Sequence, residues 1–172
     1  MHDPRAYFSW AATYATSPRG ACHLHGCSGV YEDKQAPVPE WGLTGYYPRH
    51  SDENKAQVAR VAQNWAHIIN SMVMCYFAGF PLQPADLAEL LNGATGERYT
   101  SQDLLRIGDR ISAIYRAYNY RCGIRRADDR LPVRSLTPTA EGGAAGKVPD
   151  LERQLREYYE IRGWEPDGKP SR

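Results

Sequence analysis

Between Ser51 and Phe77 the apolar positions Val58, Val61, Ala62, Trp65, Ile68, Ile69, Met72, Val73 and Phe77 recur every three or four residues. That period matches one face of an α-helix, and the stripe is wide enough to face a core. Ser51 with Asp52 and Glu53 suits the helix start, where acidic side chains favour the positive end of the dipole, and Gly79 and Pro81 close it. A second helix is predicted from Pro84 to Leu91, ended by Asn92-Gly93. A third opens on the capping-box sequence Thr100 to Asp103, carries Leu104, Ile107, Ile111, Ile114, Tyr115 and Tyr118 inward, and stops at Gly123. Leu151, Leu155, Tyr158, Tyr159 and Ile161 mark a last helix, and residues 3–15 a first one with Pro4 in its first turn.

Residues 16–50 are rich in proline and glycine and read as loop, and residues 137–147 as a flexible one. No segment alternates as a strand would, and nothing repeats. The predicted fold class is all-α, an irregular helical region over residues 1–172 with sub-lobes at 1–80 and 81–172.

Composition narrows the class further. Of 172 residues 42% are hydrophobic and 24% charged, with 12 tyrosines and 4 tryptophans, enough to build a core. A formal charge of +1 gives no strong attraction for nucleic acid. The sequence has no apolar run of membrane-spanning length and no export signal, so cytoplasm is the expected compartment. The 4 cysteines lack the spacing of a disulfide framework.

Two of them, with two histidines, crowd into Cys22, His23, His25 and Cys27. Zinc accepts both ligand types, but structural sites draw spaced pairs from separate loops, and neighbours such as Cys22 and His23 diverge along the backbone. Spacing alone leaves a metal site and a polar loop with a buried cysteine both open. "RADD", Arg126 to Asp129, reads as a surface ion-pair turn of small energetic value.

"YATSPRGACH", Tyr14 to His23, resembles a signature of the tungsten-dependent aldehyde:ferredoxin oxidoreductase family, and the likeness continues in order. "HDPRA" at His2 to Ala6 resembles the segment before it, and "NSMVMC" at Asn70 to Cys75 is similar to D-x-x-G-L-C. "RCGIRRADDRLPVR" at Arg121 to Arg134 and "YYEIRGWEPDGKP" at Tyr158 to Pro170 resemble two later motifs. Only the C-terminal helical portion of a family member is covered.

The resemblance implies a bis-pterin tungsten (or molybdenum) centre beside a four-iron, four-sulfur cluster, oxidising an aldehyde substrate to a carboxylic acid and passing electrons to ferredoxin. It implies Cys75 as the fourth cluster ligand, Asn70 and Met74 against a pterin, and His23 beside the metal as a proton-handling catalytic residue rather than a ligand. Asn70 stands where the motif has aspartate, Val73 where it has glycine and Met74 where it has leucine. The implied partner is an N-terminal cofactor domain or subunit, without which this chain is expected to be inactive. Two alternatives are a non-catalytic helical interaction module derived from the family and part of a benzoyl-coenzyme A reductase-type subunit.

Overall fold

The computed structural model describes residues 2–33 and 36–171. Among them the chain forms seven α-helices and no strand: α1 Ser9–Ala15, α2 Gly29–Asp33, α3 Lys55–Ser71, α4 Tyr76–Gly79, α5 Pro84–Thr95, α6 Ser101–Arg121 and α7 Leu151–Arg162. The all-α class read from the periodicity is the class observed. No helix of the described residues is long and apolar enough to cross a membrane.

α3 is the hub, packing against α1, α6 and α7. Its stripe residues Val58, Val61, Trp65 and Ile69 are buried with Trp41, Leu43, Leu87 and Leu104. Small residues on another side, Ala56 and Ala59, meet Ala12 of α1 and Tyr158, Tyr159 and Trp164 near the C-terminus. A third cluster joins Trp10 and Tyr14 to Leu131, Leu151 and Leu155. All three clusters join residues from both sides of position 80.

Close helix approach is set by Gly108 of α6, where an added Cβ would lie 2.6 Å from Asn64 Cβ. Asp109 one residue on completes the lock. Its carboxylate accepts from Asn64 Nδ2 at 2.8 Å and from Arg162 Nη1 at 2.7 Å, and pairs with Arg60, so α3, α6 and α7 converge on one charged centre.

Helix ends depart from the sequence reading where tertiary contacts take over local groups. α1 begins at Ser9 because Asp3 Oδ1 accepts from the Arg5 backbone N–H and side chain in a local turn, which competes with a helical first turn. α3 begins at Lys55 rather than after Ser51. Asp52 Oδ1 instead accepts from Asp150 N and Gln154 Nε2 of the C-terminal segment. α5 runs through Asn92-Gly93 to Thr95, since the Asn92 side chain bonds both N–H and C=O of Tyr99 and the left-handed stop falls at Gly96. The 16–50 segment, predicted to be loop, holds the short helix α2 and two 3₁₀ turns, His23–His25 and Pro39–Trp41, because its apolar residues Tyr31, Val38, Trp41, Leu43 and Tyr47 anchor it in the core. On α6, Ile114, Tyr115 and Tyr118, predicted inward, are exposed.

The predicted run from α3 to Phe77 breaks after Ser71. Val73 sits at φ 56°, and Met74 N–H returns to the Ile69 carbonyl, closing α3 with a left-handed residue. A β-branched side chain in this region is strained by roughly 1–2 kcal/mol. Val73 is 92% exposed, so it recovers nothing by packing. Val73→Gly is therefore expected to stabilise the chain by about 1 kcal/mol after glycine's extra unfolded-state entropy is subtracted. A urea titration checks it; an unchanged or lower midpoint would mean that Val73 is unstrained.

Candidate functional site

Two exposed segments meet at the C-terminal end of α3. The first is the loop leaving α1. Gln63 Nε2 donates to Thr13 O and Thr16 Oγ1, tying the end of α1 to α3, and Asn119 Nδ2 of α6 donates to Pro18 O at 2.7 Å. Gly26 takes φ 156° where a Cβ would lie 2.9 Å from Gln63 Cγ, so the loop passes hard against α3. The second segment is 70–76, released by the α3 stop. The Cys27 backbone N–H donates to Tyr76 Oη at 3.3 Å and joins the two.

His23 lies in a short 3₁₀ turn, His23–His25, and is exposed. Its ring meets the edge of His2 at a 5.5 Å centroid separation, and His2 in turn stacks on Trp10 at 4.8 Å. Burial, followed by the proximity of His23, lowers the His2 pKa, so His2 favours its neutral form. His25 points elsewhere, toward His67 at 6.1 Å and Tyr115 at 6.4 Å. Cys22 Sγ accepts from Arg19 Nη2 at 3.1 Å. The cysteines and histidines that are neighbours in sequence are thus dispersed, and among the described residues no three His, Cys, Asp or Glu side chains gather into a metal-holding group.

Cys75 is exposed, at the N-terminal cap of α4, with its carbonyl accepting from Ala78 N–H. A single open thiol on a turn fits the geometry of one ligand offered to a group held mainly by other protein. Asn70 is exposed, and its amide makes no side-chain hydrogen bond among the described residues, which leaves it free for a polar ring edge. The Met74 side chain turns inward onto the α3 core, leaving its backbone beside Cys75.

Sequence reasoning missed His67. It lies on α3, buried beside Tyr115 at 5.3 Å, with Nδ1 unpartnered, and burial together with the nearby Arg162 charge lowers its pKa to about 3. Its place between Ala66 and Ile68 gave no signal apart from residue type. The "RADD" turn is also corrected: Asp129 is buried, accepting from Arg116 Nη1 at 2.7 Å and from Tyr159 Oη, while Arg126 pairs with the exposed Glu152. Arg116 needed a long-range partner that no local pattern reveals.

Comparison with known proteins gives three findings. The family model described as aldehyde ferredoxin oxidoreductase, domains 2 and 3, matches residues 1–172. The tungsten-containing aldehyde ferredoxin oxidoreductases of Pyrococcus furiosus and Thermococcus kodakarensis are 34% and 32% identical to this chain over 98% of its length. The chain spans 27% of the length of each. A solved structure, the active site complex BamBC of benzoyl coenzyme A reductase with 1,5 dienoyl-CoA, superposes at a TM-score of 0.62 over 99% of this chain and 29% of that one, with 20% identity, a likeness of fold.

Proposed function

Because the chain belongs to the aldehyde ferredoxin oxidoreductase family, we propose that it is the C-terminal helical part of a tungsten (or molybdenum) bis-pterin oxidoreductase that converts aldehydes to carboxylic acids and passes electrons through a four-iron, four-sulfur cluster to ferredoxin. The observation that carries this reading is the meeting of two exposed segments at the end of α3, one bearing His23 and the other Asn70, Met74 and Cys75. Cys75 would supply one cluster thiolate, and Asn70 with the Met74 backbone would contact a pterin edge. When bound, the metal-pterin pair supplies the two-electron redox chemistry, with water as the oxygen source.

The chain's own part is positioning and proton handling. His23, exposed and braced by His2, would hydrogen-bond the substrate oxygen and accept a proton released as water adds. Val73 and Phe77, 92% and 71% exposed, form apolar surface beside these groups. Such surface suits cover by a separate cofactor domain or subunit.

The test is Cys75→Ser in the assembly of this chain with its cofactor domain or subunit. A serine hydroxyl is a harder and poorer iron ligand than thiolate, so iron content and the cluster's visible absorption are expected to fall while tungsten is retained. An intact cluster with normal ferredoxin reduction would remove Cys75 from the ligand set. A native assembly free of tungsten, molybdenum and iron would instead support a non-catalytic module.

A further inference from the structure

A cavity of about 500 Å³ is lined by the Tyr14–Ala21 segment, α3, α6 and the 128–132 turn. That volume is in the range of small-molecule sites. None of His23, Asn70, Met74 and Cys75 lines it, so the redox reading does not use it. Tyr158 and Trp164 supply buried aromatic wall, with Ile124 and Leu131 beside them.

Its polar groups divide into spent and unspent. Gln63 gives its amide hydrogens to Thr13 and Thr16 and accepts from Tyr158 and Arg162. Arg116 and Asp129 neutralise each other, and the Arg116 guanidinium also bonds the Gly168 carbonyl and Tyr159. What remains is His67 Nδ1 and Ser17 Oγ, both buried without a partner, and two guanidinium groups that make no ion pair among the described residues: that of Arg130, and that of Arg19, which gives only Nη2 to Cys22 Sγ at 3.1 Å. Asp128 caps the Arg125 N–H, so the charged lining, three arginines against two aspartates, keeps an excess of one positive charge.

The structure assigns to this cavity a binding site for a small organic monocarboxylate with an aromatic or aliphatic body. The carboxylate matches the Arg130 guanidinium, the N–H groups of Arg19 not given to Cys22, and the single excess charge, which a dianion would overcompensate. The body fits against Tyr158 and Trp164. His67 is held neutral by its burial, so it contributes a directional hydrogen bond instead of a second charge, and Ser17 can turn its hydroxyl about one bond to reach the ligand. Ligand entry would satisfy two polar atoms that otherwise stay unpaired at a cost.

The inference does not depend on cofactor loading and is tested on the 172-residue chain by calorimetric titration with benzoate, with benzamide and inorganic phosphate as controls. Benzoate is expected to bind one per chain, at least tenfold tighter than benzamide, and to shift the His67 imidazole signals in the nitrogen NMR spectrum. The exposed pair Arg19→Gln with Arg130→Gln should weaken benzoate roughly 10- to 100-fold, with an unchanged helical circular dichroism spectrum, because each charge-assisted bond is worth more than a neutral one. Absence of benzoate binding at millimolar concentration, equal affinity for benzamide, or phosphate binding as tightly as benzoate would each overturn the assignment.

Discussion

Replacing His23 by asparagine in the loaded assembly is expected to lower aldehyde turnover by about 100- to 10,000-fold, the usual worth of general acid-base assistance. An amide of similar reach keeps a hydrogen bond but cannot exchange a proton near neutral pH. Because His23 is exposed on a 3₁₀ turn and touches no metal-holding group among the described residues, the fold, the cluster and the tungsten content should stay as in the parent. The pH profile of turnover should lose one limb. Metal lost in proportion to activity would make His23 a ligand or a structural prop, and normal turnover would take the catalytic role away from the whole Cys22–Cys27 loop.

Lys55→Met is expected to destabilise the chain itself by about 3–5 kcal/mol, a large part of a typical domain's stability. The side chains of Lys55 and Glu32 are both fully buried and paired, Lys55 Nζ also donates to Pro48 O at 2.7 Å, and Glu32 accepts from the Ser9 hydroxyl and N–H. Removing the cation takes the Lys55 counter-charge from a carboxylate in the core, while the neutral Ser9 donors stay. Burial already raises the Glu32 pKa even beside Lys55, so in the variant Glu32 should take up a proton in the folded state. A folded pKa above the unfolded one confers stability that is present at low pH and lost as pH rises, so the penalty should be smaller at pH 5 than at pH 8. Chemical denaturation at the two pH values checks both size and sign. Adding Glu32→Gln should recover most of the loss, because an amide needs no counter-charge. A single variant within 1 kcal/mol of the parent at pH 8 would show that the pair is not isolated from water as described.

The positions and type of the longer helices were legible because they rest on local periodicity and capping. The stripe of α3 and the Thr100–Asp103 box of α6 needed no distant partner to be recognised. The family, too, could be read from ordered motifs, and the match over residues 1–172 agrees. Tertiary structure decided the helix ends and the fate of the polar residues. Asp52 left its cap for Gln154, Asp129 left the surface for Arg116, and His67 became a neutral buried ring, each through partners supplied by a different segment of the chain. It also separated His23 from His25, two positions of one turn with Leu24 between them, which the fold sends to His2 and His67 respectively, while joining the His23 loop to the Cys75 segment through Cys27 and Tyr76. Sequence patterns report which face of a segment is apolar. Which polar side chain stays in water and which is buried with a partner depends on long-range geometry, because desolvation is offset only when the partner arrives from elsewhere in the fold.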